Sequence, residues 1–313
     1  MKKFLFKIFV FFSAKILFLI ILIVSFETHD GLRSTMHSSY LHGYNFILEK
    51  IRESKERKVI FVGGSNVGFG LNTKRIQDSL GIKTFNFGVH GGIGLKKPIE
   101  DITPHLNPID IVIFSPEYSN FDLMNYSDQK YIVQFLDGFN FLEIKNFETL
   151  FLYFEHIEQT LRLYRKQKSG YVFNGYNFKW FNNNGDVIGH HNMERSDTIR
   201  IKIRQWDIKV EDLKKLKYFI EDKLNEIEYY VIPPVTIEGL FSIEEKINLN
   251  QKLFKVFGEK YPLSIEDLTF GKDCFYDTEY HLNEPCKEKR TDIIIEFLNT
   301  IKKETQKLSL FYL

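Results

Sequence analysis

The stretch Val59-Ile60-Phe61-Val62-Gly63-Gly64-Ser65-Asn66-Val67-Gly68-Phe69-Gly70-Leu71 decides the fold: an unbroken run of β-branched and aromatic residues stops abruptly at two glycines and a serine. A short, wholly apolar run is the pattern of a strand covered on both faces, as in a parallel sheet flanked by helices. It predicts a strand over 58–63. Glycines that tolerate tight backbone geometry then leave Ser65 at the mouth of the strand, the arrangement that exposes a hydroxyl nucleophile at a sheet edge.

Working outward, the same pattern recurs. Lys83 to Phe87 and Ile111 to Phe114 read as a second and a third strand, and Tyr229 to Ile232 as a fourth that stops at Pro233-Pro234. Between them lie a helix over 72–80 with Asn72 as its N-cap and a charged helix over 210–224. Pro262 to Leu268 is expected to add a fifth, edge strand, and a last helix starts at Glu284 with Asn283 as N-cap. Strands alternating with helices imply an α/β protein, a three-layer α/β/α sandwich with a parallel sheet of flavodoxin-like order.

Two further blocks suit a serine nucleophile. Asn86-Phe87-Gly88-Val89-His90-Gly91-Gly92 is a strand end opening into a glycine turn that can offer N–H groups to an oxyanion. Near the C-terminus, Asp277-Thr278-Glu279-Tyr280-His281 sets an acid and a histidine in one short loop. The order strand-Gly-x-Ser, Asn-x-Gly-x-x-Gly, Asp/His resembles that of the SGNH (GDSL-type) hydrolase superfamily. Within it, the chain looks most like the membrane-anchored cell-envelope branch that includes D-alanine transfer and alginate acetylation proteins. The resemblance runs from Val59 to about Thr291.

That resemblance implies an SGNH fold with Ser65 as nucleophile, His281 as general base and Asp277 orienting the imidazole, and no cofactor. It implies an oxyanion hole from the backbone N–H groups of Ser65 and Gly91, with Asn120 as a substitute side-chain donor. Asn66, Glu117, Tyr118 and Tyr280 flank these positions and are expected to bind substrate. Two features depart from the family. Glu117 stands where the family places an Asn, and Asp277 lies four residues before His281 rather than three, so a Ser-His dyad and a triad closed through a wider turn both stay open. The implied activity is that of a serine acyl esterase or O-acyltransferase on an acylated envelope glycan or glycolipid, with a membrane-bound acyltransferase as a partner. The rival is an inactive envelope protein that keeps the fold and binds glycan or a membrane partner.

Composition narrows the classes. Lys+Arg of 42 against Asp+Glu of 41 leaves a net charge of +1 and no basic stripe to follow phosphates, so nucleic acid is not an expected partner. The N-terminus carries Lys2, Lys3 and Lys7, then 19 residues from Ile8 to Phe26 interrupted only by Ser13, Lys15 and Ser25. This is the length a transmembrane helix needs, and no small-residue cleavage site follows. Residues 1–30 are therefore expected to be an uncleaved signal anchor, with a cleaved signal peptide, which Lys15 keeps open, as the alternative; 31–57 is expected to be a juxtamembrane helix and 58–313 the catalytic domain, with an insertion at about 122–209. The lysines hold the N-terminus inside and put the catalytic domain outside the cytoplasmic membrane.

Cys274 and Cys286, the two cysteines of the chain, bracket the Asp277/His281 loop, where an exported protein could keep a disulfide; two buried thiols are the alternative. Zinc is disfavoured, because no second ligand pair sits at finger-like spacing. The stretch from Tyr171 to His191 mixes aromatics with Asn and Asp. It reads either as a rim that stacks on sugars or as a hairpin on the sheet edge turning at Asn184-Gly185-Asp186.

Overall fold

The computed structural model describes residues 2–121, 147–170, 175–191, 193–194, 199 and 208–311. It divides into two compact units, one of Met1–His42 with Gln129–Phe178, the other of Gly43–Asp128 with Lys179–Leu313. The second holds the sheet, and it includes the helix before the first strand, which buries Tyr44, Ile47, Leu48 and Ile51.

In the first unit, α1 (Lys2–Thr28) and α2 (Asp30–His37) bury Phe26, Leu32 and Met36 with Tyr153 and Ile157. The last two belong to a long helix at Phe147–Lys168, labelled α7 below. Among the described residues no helix is long and apolar enough to cross a membrane. The expected span includes positions 19, 22 and 23, whose side chains lie outside the described set. The remaining apolar side chains of α1 project outward, Phe4 at 66% and Phe18 at 68% exposed.

In the second unit, α3 (His42–Glu53) leads into β1 (Lys58–Gly63); a one-turn helix at Ser65–Gly68, α4, and then α5 (Thr73–Leu80) follow. Asn72 caps α5 through its side-chain oxygen, as its position predicted. β2 (Lys83–Gly88), α6 (Lys96–Ile102), β3 (Ile111–Ser115), α7 of the first unit, α8 (Val210–Leu224) and β4 (Glu228–Val231) come next. The strands are all parallel in the order β2-β1-β3-β4. Val59 to Val62 and Val112 to Phe114 are fully buried, which is why both runs lack polar alternation. α6 packs with α8 and apart from α5, as crossovers on opposite faces of a parallel sheet would place them. The last helix, α10 (Glu284–Phe311), packs with α5, and α9 (Ile243–Phe257) packs with α8, so the sheet lies between two helical layers.

The fifth strand forms elsewhere than expected. Residues 262–268 are a turn, fixed by the Ser264 backbone N–H and hydroxyl donating to Asp267 at 2.7 and 2.8 Å. Short strands β5 (Thr236–Ile237) and β6 (Thr269–Phe270) on either side of α9 pair with each other instead. The start of the sheet is tied by a buried ion pair, Lys58 Nζ to Asp110 Oδ2 at 2.7 Å.

The described part of the Asn-rich stretch packs on the edge strand as a short hairpin, while residues 171–174, which the sugar-rim reading also used, lie outside the described residues. Phe181 bridges Val187, and the Asn86 N–H of β2 donates to the Asn184 carbonyl at 2.7 Å. Asp186 is buried and accepts from the Thr73 N–H and hydroxyl and from the side-chain amides of Asn86 and Asn182, at 2.8 to 3.0 Å. Trp180, Asn184, Val187 and His190 are buried as well.

Candidate active site

The strand order reverses between β1 and β3, and the turns after their C-terminal ends lie at the usual site position in sheets of this kind. Ser65 sits there because β1 ends in a turn that a larger residue would obstruct: a Cβ on Gly64 would meet Glu117 Oε1 at 2.3 Å. On the opposite wall, a Cβ on Gly91 would meet Glu117 Oε2 at 2.1 Å. The two glycines thus form a cup, and the Glu117 carboxyl fills it.

His281 reaches the same place from the far end of the chain. Its ring stacks on Phe69, four residues after Ser65, with ring centroids 3.8 Å apart and planes 9° from parallel. Behind it, Nδ1 lies 2.7 Å from Asp277 Oδ1. A carboxylate only accepts, so Nδ1 is the donor in this contact. The four-residue spacing closes because Tyr276 N–H donates to the His281 carbonyl at 2.7 Å and Phe275 bridges Leu282, which folds Asp277 back onto the ring. Cys274 and Cys286 are joined, with Cα atoms 5.4 Å apart, so this loop is clamped at its base. Asn283 caps α10 through the Cys286 N–H.

Ser65 Oγ donates to Glu117 Oε1 at 3.0 Å, and the Asn66 N–H also donates to this carboxyl. Burial pushes the Glu117 pKa up; Ser65, His281 and the Asn66 N–H partly offset that, and Glu279 adds to it. Tyr280 covers the group from the C-terminal loop, its hydroxyl accepting the Tyr118 N–H and raised well above the usual tyrosine range, chiefly by burial.

Ser65, Gly91, Glu117, Tyr280, His281 and Asp277 therefore converge. Three other expected residues have structural work here. Asn120 donates its amide to the Gly91 carbonyl at 2.9 Å, bracing the glycine turn from outside the cup. The Asn66 side chain is buried and donates to Ser115, and the Tyr118 hydroxyl is buried against Thr236 Oγ1 at 2.5 Å. Among the described residues no group of three or more His, Cys, Asp or Glu is placed to hold a metal ion. In the His190-His191 pair, His190 packs its ring on Phe69 and lies 2.9 Å from the Leu282 carbonyl, while His191 meets Lys287 at 3.1 Å.

Two contributors were not expected. Phe69 is the platform for the histidine. Arg290, fully buried on α10, donates to the Asn66 carbonyl at 2.6 Å and to Ser115 Oγ at 3.0 Å, locking the turn that carries the serine. Burial lowers its guanidinium to about 9, still a cation at neutral pH. The available signal was an Arg among the apolar positions Ile294, Leu298 and Ile301 of one helix face.

No family model, curated protein or solved structure matches the chain.

The Asp277 contact sets a graded expectation. Asp277→Asn should lower kcat/KM for an activated acetyl ester one to two orders of magnitude less than loss of His281 does, since the carboxylate acts through the imidazole. Steady-state kinetics on the folded variant decide it. An unchanged rate would mean a dyad, and a loss equal to that of His281→Ala a fully coupled triad.

Proposed function

We propose that the chain is a serine acyl ester hydrolase or O-acyltransferase of the SGNH type, acting outside the cytoplasmic membrane on an acylated envelope glycan or glycolipid. The observation that carries this reading is the His281–Asp277 pair, hydrogen-bonded at 2.7 Å and stacked on the very turn that presents Ser65.

Ser65 Oγ attacks the ester carbonyl while its proton passes to His281 Nε2; the Oγ–C bond forms and the carbonyl π electrons move onto oxygen. Backbone N–H groups of the cup hold that oxyanion. The intermediate collapses, the alcohol leaves with the proton from His281, and the acyl-serine is released to water or to a sugar hydroxyl by the same steps in reverse. Asp277 fixes the tautomer throughout.

The envelope setting rests on the apolar run of α1 behind Lys2, Lys3 and Lys7, as a single-pass anchor with the N-terminus inside, and on the Cys274–Cys286 bond, which favours an oxidising compartment. A membrane-bound acyltransferase that supplies the acyl group fits that placement. The rival reading, an inactive binding protein, draws on one observation: the Ser65 hydroxyl is engaged by Glu117 within the cup.

The test is a pre-steady-state burst with p-nitrophenyl acetate on the full chain in detergent, followed by peptide mapping. An acetyl group on the peptide containing Ser65 is expected. A chain that neither bursts nor becomes acetylated there would favour the binding protein. An alkaline phosphatase fused after Leu313 should be active; an inactive fusion would place the site in the cytoplasm and remove the envelope substrate.

A further inference from the structure

The Glu117 carboxyl occupies the cup where a tetrahedral intermediate would put its negative oxygen. Oε1 accepts from Ser65 Oγ at 3.0 Å, and Oε2 lies on the side of the Gly91 turn. Around the group stand the Ser65 hydroxyl and Asn66 N–H from the turn after β1, the Gly91 turn after β2, and His281, Glu279 and Tyr280 from the C-terminal loop. A carboxylate here would face a developing oxyanion across a few ångströms of protein with little water, a repulsion that would cancel much of what the backbone donors supply. A neutral carboxylic acid does the opposite, because its O–H is one more donor aimed at that oxygen.

We propose that Glu117 is a catalytic residue of this site, working as a neutral carboxylic acid whose O–H donates to the acyl oxygen in the transition state, in the place where an Asn amide would otherwise stand. This rests on the serine acyl reading above. The proton stays on Glu117: the acyl oxygen takes over the Asn66 N–H that the carboxyl now holds, receives the hydrogen bond while the oxyanion exists, and gives it up when the carbonyl re-forms. No extra reactant is needed, and Ser65 and His281 exchange the one proton that moves.

The chemistry of the pocket favours the acid form. Burial raises the Glu117 pKa by more than the Ser65 hydroxyl, His281 and the Asn66 N–H lower it, and Glu279 adds to the rise, so protonation extends above the ordinary carboxylate range. The sign follows directly: the active form is protonated, so reactivity falls as pH climbs through that raised pKa.

The experiment measures the second-order rate of labelling by a fluorophosphonate probe on the full chain in detergent, across pH, with thermal melts reporting folding. Glu117→Ala should slow labelling about 10²–10³-fold, the usual loss of one oxyanion donor. Glu117→Gln keeps a donor that does not titrate, so it should lose less than tenfold and lack the alkaline fall of the wild type. Labelling by Glu117→Ala as fast as or faster than wild type would make the carboxyl a plug and overturn the proposal, as would a Glu117→Gln variant as slow as Glu117→Ala with its melt unchanged. A wild-type chain that never labels would overturn the serine reading itself; one that labels normally while Glu117→Ala keeps pace overturns only the role of Glu117.

Discussion

Exchanging Ser65 for Ala, or His281 for Ala, is expected to lower kcat/KM for an activated acetyl ester by about 10⁴-fold or more, and the double variant should be no worse than either single one. The two side chains act as one unit: without the imidazole the hydroxyl is too weak a nucleophile, and without the hydroxyl the base has nothing to activate. Structure should survive in both variants. Ser65 contributes one hydrogen bond, to Glu117, and the loop that carries His281 is held independently by the Cys274–Cys286 bond and the Phe275–Leu282 bridge. Comparing melts and kinetics separates chemistry from folding. A folded Ser65→Ala chain retaining more than roughly a tenth of wild-type activity would overturn the mechanism, given what a lost nucleophile ordinarily costs.

Asp110→Ala should destabilise the fold by about 3–5 kcal/mol, the penalty for breaking a buried pair from one side. Asp110 and Lys58 are both fully buried, and the carboxylate does more than neutralise the ammonium. Its Oδ1 accepts the Lys58 N–H at 2.9 Å and its Oδ2 the Asn107 N–H at 2.7 Å, so β1 and the approach to β3 begin at fixed points. Removing it leaves a cation and two backbone donors in the interior. The urea midpoint should fall with the slope unchanged. Replacing Lys58 by Met in the same chain should recover part of the loss, and a midpoint shift worth under about 1 kcal/mol for Asp110→Ala would show that water reaches the pair.

What the sequence made legible was local. β1, β2 and β3 announce themselves because strands buried on both faces need no alternation, and Asn72 and Asn283 stand out because a helix start leaves N–H groups that a short polar side chain can reach. Ser65, the Gly91 turn and His281 could be picked out since each carries its chemistry in a few adjacent residues. The partners of those groups could not. Glu117 reads as a misplaced acid until the turn after β3 is folded against Gly64 and Gly91. Asn66 and Tyr118 look exposed from their positions in loops, yet tertiary packing turns them inward. The segment 262–268 has the apolar content of a strand, but Ser264 and Asp267 bond each other first, and such side-chain competition with the ladder is invisible to periodicity.

The hydrogen bond from Arg290 to the Asn66 carbonyl spans 224 positions of sequence, and it bears on the order in which the candidate site is put together. A chain emerging N-terminus first presents the serine early and the guanidinium among the final turns. Until α10 docks, nothing from that helix fixes the carbonyl beside Ser65, and His281 sits just ahead of the same helix. The geometry of the turn that carries Ser65 is therefore completed only once this late helix has docked, so the site is assembled last from pieces far apart in sequence.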